Sequence, residues 1–323
     1  MMPPPAAPAF LDRVGWAGAD IVPLAGDASF RRYFRIVAGE RRAVLMDAPP
    51  PHEDPRPFIA VAEHLSGLGF SAPSILAADL DHGLVLLEDF GDARMREFVD
   101  ANADTERAIY ARTVALLARL HTTPAAALPP YSRAELQREA GLFTDWYCPA
   151  VDLQVDGESY RAAWDAAFDR VAGPTVTVLR DYHAENIMLI DGREGEAGLG
   201  LLDFQDALAG HPAYDLVSML QDARRDVPPA LEAEMRALYA VTARPGASFE
   251  TAYAVLGAQR NAKILGIFTR LWKRDGKPRY LEFLPRVWGY LERDLTHPAL
   301  GEIAAWFEAG IPADRRAAFW AGR

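Results

Sequence analysis

The residues best suited to chemistry lie in "RDYHAENIMLIDGREGEAGLGLLDFQDA", residues 180 to 207. Asp181 and Asn186 are five positions apart, the apolar run "IMLI" follows, and a second apolar run, "LGLL", delivers Asp203. If the two runs pair as a hairpin, Asn186 before the first and Asp203 after the second stand side by side. Their oxygens suit one or two Mg²⁺ ions, which take hard oxygen ligands and keep water and phosphate as other partners. Asp181, at the mouth of the same turn, is placed to face a hydroxyl. That set fits phosphoryl transfer, in which metal ions hold phosphates and a carboxylate orients the acceptor and takes its proton. Asp and Asn are also turn residues, and a D-x-x-x-x-N spacing alone more often marks a hairpin connection. The agreement of apolar runs, Asp181, Asn186 and Asp203 in order and spacing favours the site.

The preceding chain must position this segment. "ADIVPLAGDASFRRYFRIVAGERRAVLMDAPPP" alternates apolar and polar residues in three pieces and predicts an antiparallel meander. "DPRPFIAVAEHLSGLGF" places Phe58, Val61, Ala62 and Leu65 at helical spacing and stops at Gly67 and Gly69. "SILAADLDHGLVLLEDFGD" predicts a hairpin running into an acidic turn. Residues 1–88 therefore read as a small lobe of about five antiparallel strands plus one helix. Residues 89–323 read as a larger, mostly helical lobe, interrupted by the two short strands of the catalytic hairpin. The fold class is α+β. The Pro-rich pieces "PPPAAP" and "AAALPP" read as a frayed tail and a surface loop.

Composition excludes several classes. A formal net charge of -11 argues against general nucleic-acid binding. The single cysteine, Cys148, rules out an internal disulfide and fits a reducing compartment. No apolar stretch approaches the ~20 residues that span a bilayer, and no secretory leader stands at the N-terminus, so the expectation is a cytoplasmic enzyme or binding protein. The only lysines are Lys263, Lys273 and Lys277, which removes a Walker A loop.

The order of these elements resembles the protein-kinase-like aminoglycoside and choline phosphotransferases. More closely, "GDASFRRYFRI", "VLMDAPP", "VLLEDFGD", "RDYHAEN", "LLDFQDALAGHPAYDLVSMLQD" and "QRNAKILGIFTRL" resemble the bacterial N-acetylmuramate and N-acetylglucosamine anomeric kinases. The resemblance implies a bilobal kinase-like fold and an ATP- and Mg²⁺-dependent kinase acting on the C1 hydroxyl of a free amino sugar. In that family the sugar 1-phosphates feed UDP-sugar synthesis through a sugar-1-phosphate uridylyltransferase, a cell-wall (peptidoglycan) recycling route that bypasses the fosfomycin-sensitive step. Carried over, Asp181 is the base, Asn186 and Asp203 are the Mg²⁺ ligands, and Leu87, Glu88, Asp89 and Phe90 are the hinge whose backbone meets adenine.

The chain departs from that pattern where a strand lysine usually holds the α and β phosphates: Met46 or a neighbour stands there. The expectation is that Ser29 and the adjacent Phe30, with Arg31 or Arg32, take over phosphate binding, since arginine pairs bidentately with phosphate oxygens. A solvated basic strand face is an equal alternative for any one arginine. Glu63 loses an ion-pair role without a lysine partner. Asp215 reads as a brace for the catalytic loop and His183 as a brace or an ordinary loop histidine. Candidate acceptor-sugar contacts are Trp146, Tyr147, Gln205, Asp206, Arg260 and Asn261, although aromatics at helical spacing are more often core. Two other functions stay open: a kinase for another small hydroxyl compound, such as an aminoglycoside, choline or a different sugar, and a nucleotide-binding regulatory module without catalysis.

Overall fold

The computed structural model describes residues 1–24 and 30–316. Ser29 and Gly26 therefore lie outside the described residues. The chain divides into two compact units, Met1–Asp104 with Glu185–Ala207, and Thr105–Ala184 with Leu208–Arg323.

The first unit is built on the strands β1 (Asp20–Pro23), β2 (Arg32–Ala38), β3 (Arg41–Asp47), β4 (Ile75–Asp79) and β5 (Leu84–Leu87). They form one antiparallel sheet in the order β1-β2-β3-β5-β4, in which the expected meander and hairpin are joined by the pairing of β3 with β5. Phe34 pairs with Leu45 and Ile36 with Ala43, so one face of β2 and β3 is apolar while Tyr33 and Arg35 alternate to the other. A helix over Ala7–Arg13 covers that apolar face, with Phe10 and Leu11 packed in a cluster with Phe34, Ile36, Leu45, Leu84 and Leu86. This corrects the expectation of a frayed N-terminal tail. The prolines precede the helix, and Pro8 occupies its first turn, where a missing N–H costs no bond. The expected helix forms over Arg56–Gly67 and buries Phe58, Val61, Ala62 and Leu65.

The segment Glu185–Ala207 also belongs to this unit. Its strands β7 (Ile187–Leu189) and β8 (Leu199–Leu201) pair antiparallel, with Ile187 opposite Leu201. Leu189 N–H donates to the Ala93 carbonyl at 2.7 Å, and Leu201 N–H donates to the Ser71 carbonyl at 2.8 Å. Phe204 stacks on Phe58 with ring centroids 4.9 Å apart. Those bonds explain why the hairpin clusters with the sheet, whereas a single cut near residue 88 would leave it with the helices. Gly200 is required by packing: a Cβ there would meet Phe90 Cδ2 at 2.5 Å.

The second unit is mostly helical. Its core gathers Phe143, Tyr147, Trp164, Trp288 and Phe307 with the central helix Phe249–Lys273. It also holds a two-stranded ladder not expected from the sequence, β6 (Val176–Val178) with β9 (Leu208–Gly210), in which Val178 pairs with Leu208. Four short strands in two ladders thus replace the expected two. Among the described residues no helix is long and apolar enough to cross a membrane.

Candidate active site

In the first unit the hairpin does bring Asn186 beside Asp203: Asn186 Nδ2 lies 3.4 Å from Asp203 Oδ2. Asp203 is solvent-exposed and adopts a left-handed backbone, φ 58°. Asp and Asn tolerate that region better than most non-glycine residues, and such outliers gather at functional sites. Gln205 Nε2 donates to Asp203 Oδ1 at 2.9 Å and to Asp206 Oδ2 at 3.0 Å, so of these predicted residues Gln205 sits against Asp203 and Asp206 against Gln205. No group of three or more His, Cys, Asp or Glu side chains that could hold a metal occurs among the described residues. Asn186 and Asp203 make a smaller set. One amide and one carboxylate fit a hard divalent ion that takes its remaining ligands from water and phosphate.

The three arginines of β2 and its approach differ in their commitments. Arg32 Nε donates to Asp47 Oδ2 at 2.8 Å, and Asp47 is 1% exposed. Arg35 forks onto the Asp89 carboxylate at 2.7 and 3.1 Å and also meets Asp92. Arg31 lies 3.6 Å from Glu53, with which sequence reading had not paired it. Tyr33 is influenced by both Arg31 and Asp203. Its hydroxyl is pushed up to about 12, first by burial and then by the fields of Asp203 and Glu53, while Arg31 opposes and hydrogen-bonds it. Phe30 is exposed and stacks on His52. Met46 is fully buried between Tyr33 and Val85.

Leu87 closes β5, and Glu88 N–H donates to the Ser74 carbonyl at 3.0 Å, so that amide continues the strand pairing. The Glu88 carboxylate accepts from Ser74 Oγ and from Arg193. Phe90 fills the gap at Gly200 beneath Arg193, whose guanidinium carbon is 5.7 Å from the ring centroid.

In the second unit Asp181 is half-buried on a loop whose main chain is tied down at both ends. Asp215, fully buried in the helix Ala213–Leu220, accepts from Leu179 N–H at 2.7 Å and Arg180 N–H at 2.8 Å. Asp222 accepts from Ala184 N–H at 3.2 Å and Arg224 N–H at 2.8 Å. Tyr182 Oη donates to the Thr113 carbonyl at 2.9 Å, and His183 Nε2 lies 3.3 Å from Arg224. Arg180 adopts φ 70°, and its guanidinium pairs with Glu139, as does Lys263 Nζ at 2.8 Å.

The predicted acceptor residues of this unit are mostly interior. Tyr147 is fully buried, and its hydroxyl donates to the Arg315 carbonyl at 2.8 Å and accepts from Trp288 Nε1 at 2.8 Å. Asn261 is fully buried and donates to Gln221 Oε1 at 2.6 Å and Asp294 Oδ2 at 3.2 Å. Arg260 is 4% exposed and donates to Ser218 Oγ at 2.8 Å. Trp146 remains half-buried in the π-helical turn Phe143–Tyr147.

The chain matches the Phosphotransferase enzyme family (APH) over residues 20–249. It is 36% identical to an N-acetylmuramate/N-acetylglucosamine kinase of Caulobacter vibrioides, covering 95% of this chain and 96% of that protein. It is 39% identical to the Pseudomonas aeruginosa protein of the same name, covering 93% of each. Among solved structures it is similar to a choline/ethanolamine kinase family protein from Mesorhizobium loti, with TM-score 0.63 at 14% identity over 94% of this chain and 97% of that one. It is also similar to the gentamicin complex of APH(2")-IIa, with TM-score 0.62 at 12% identity over 93% and 99%. Those two likenesses show the protein-kinase-like fold. By its matched segment and by these relatives, the chain belongs to the phosphotransferase enzyme family.

Proposed function

We propose that the chain is an ATP-dependent kinase that phosphorylates the anomeric C1 hydroxyl of N-acetylmuramate and N-acetylglucosamine. The observation that carries the kinase chemistry is the Asn186–Asp203 pair at the open end of the β7–β8 hairpin. The substrate class is supported by the printed names of relatives that match nearly the whole chain.

In this reading Asn186 and Asp203 hold Mg²⁺, which when bound screens the charge of the phosphate oxygens. Asp181 holds the C1 hydroxyl and takes its proton as the sugar oxygen bonds to the γ-phosphorus. The bond to the bridging oxygen breaks and ADP leaves. Such a base contributes typically ~10²–10⁴-fold in rate. Leu87 to Phe90 carry adenine. Arg31 is the phosphate-holding arginine in this reading, supported by Tyr33, whose hydroxyl both Arg31 and the metal-side Asp203 influence. Ser29 is kept in the phosphate-binding role expected from the sequence. Trp146, Gln205 and Asp206 are the acceptor-side candidates that retain exposure. In this reading a uridylyltransferase consumes the 1-phosphate product, as a step of peptidoglycan recycling.

The test is ADP release with N-acetylmuramate, N-acetylglucosamine and an aminoglycoside, with the product read by ³¹P NMR. A sugar 1-phosphate formed by the parent and lost in Asp181→Asn is expected. Stimulation by the aminoglycoside alone, or a phosphate on another hydroxyl, overturns the substrate assignment.

A further inference from the structure

The catalytic loop adjoins a buried charge cluster to which nothing described so far assigns a role. Glu139, on the helix Arg133–Leu142, is 1% exposed, and its carboxylate gathers four close donors and a more distant arginine. Oε1 meets Arg180, Lys263 Nζ at 2.8 Å and the outer Arg138 at 4.0 Å; Oε2 accepts from Tyr131 Oη and, at 3.4 Å, from Gln259 Nε2. Lys263 Nζ, from the helix Phe249–Lys273, also donates to Tyr214 Oη at 3.1 Å. A carboxylate this enclosed is costly unless paired. Burial alone would raise it, but Lys263 and Arg180 outweigh burial and hold it at about 2.

Two features turn this cluster toward Asp181. Arg180 immediately precedes Asp181, its N–H is fixed by Asp215, and its side chain is fixed by Glu139. Main chain and side chain of the neighbouring residue are thus both anchored in an uncommon left-handed conformation. Arg180 and Lys263 also each interact electrostatically with Asp181. Arg180 and Lys263 thus each act on two carboxylates, Glu139 and Asp181. We propose that Glu139 and Lys263, acting through Arg180, are positioning residues that lock the Asp181 loop by charge balance. Lys263 Nζ is occupied by Glu139 and Tyr214, so its part is to position the loop and not to bind phosphate.

The inference rests on the reading of Asp181 as the base, and the test separates the two. Glu139→Gln and Lys263→Met each shift the balance by one charge, in opposite directions, whereas the double variant restores it. Each single variant is expected to lower kcat about tenfold to hundredfold with little change in KM for ATP, since displacing a reacting group by ~1 Å costs that much. The double variant is expected to recover to within about threefold of the parent, a non-additivity that loss of packing does not give. Amide hydrogen exchange over residues 179–184, which needs no substrate, is expected to quicken in each single variant and to return toward the parent in the double. If a single variant does not fold, Tyr131→Phe, which removes one donor from Glu139, replaces it and is expected to quicken the same amides. Parent-like exchange in the folded single variants, or a double variant as slow as the product of the singles, overturns the proposal. A parent that turns over no acceptor defeats the functional reading, and the exchange arm still decides the positioning role.

Discussion

Asp215 and Arg180 are joined through the main chain: the Asp215 carboxylate accepts the Arg180 N–H at 2.8 Å and, with its other oxygen, the Leu179 N–H at 2.7 Å. Asp215 is fully buried and His121 Nε2 lies 3.8 Å away, so the brace belongs to the interior of the helical unit. Asp215→Ala leaves two donors unpaired, a cost of about 1–3 kcal/mol for each that stays dry. The expected result is a lower Tm together with a fall in kcat larger than the change in KM for ATP. Asp215→Asn, which keeps one acceptor oxygen, is expected to lose less of both.

Arg31 and Arg32 are adjacent but should fail differently. Arg31→Ala is expected to raise KM for ATP about tenfold to hundredfold, the worth of one charge-assisted bond of about 1.5–3 kcal/mol. Arg32→Ala strips the buried Asp47 of its partner and should lower Tm with a smaller effect on KM. Steady-state kinetics and thermal melts on both variants check this. Equal KM values in the two would remove Arg31 from the phosphate role.

Gly200→Ala drives a methyl group to 2.5 Å from Phe90 Cδ2. The ring must move, at a cost of about 1–3 kcal/mol typical of overpacking. On the proposal that Phe90 belongs to the adenine-facing hinge, KM for ATP should rise along with the loss of stability. An unchanged KM in a folded Gly200→Ala enzyme would detach Phe90 from nucleotide binding.

Asp294 sits among Gln221, Asn261 and a close-packed Gly257. Burial first of all, with Glu232 adding to it, raises its carboxyl to about 8, against the pull of Gln221, Arg293 and Asn261. Its folded form keeps the proton while the unfolded chain ionises near the ordinary value. Its contribution is therefore complete below about pH 4 and is lost as pH rises toward 8. Relative to Asp294→Asn, the parent should lose stability across that window by on the order of a few kcal/mol, measured by denaturant unfolding at several pH values. Parallel stability curves for the two proteins would show that Asp294 titrates normally.

The strands of the sheet were legible because each is short, alternating and closed by a turn, and the helix at Phe58 because its four apolar residues share one face. The Ala7–Arg13 helix was hidden behind prolines that read as a tail. Asn186 and Asp203 could be paired in advance because one hairpin joins them, so sequence spacing and distance in space coincide. Glu139, Lys263, Glu53 and Asp222 gave no such sign. Glu139 meets Arg180 from a separate helix, and Glu53 meets Arg31 from beyond the β3 strand, so only tertiary packing unites them. Tyr147 and Asn261 misled in the opposite sense: their residue types suit a sugar, yet packing and hydrogen bonds enclose them.

The β6–β9 ladder has a consequence for dissecting the molecule. The chain passes between the two units after Asp104, after Ala184 and after Ala207, and Val178 and Leu208, paired in that ladder, flank the whole excursion. No single truncation yields either unit. Isolating the sheet-bearing unit requires Glu185–Ala207 to be spliced onto Met1–Asp104, and isolating the helical unit requires a short linker from Ala184 to Leu208. That linker spans strands already held in register by Val176↔Gly210 and Thr177↔Ala209, so the helical unit is the better candidate for independent expression.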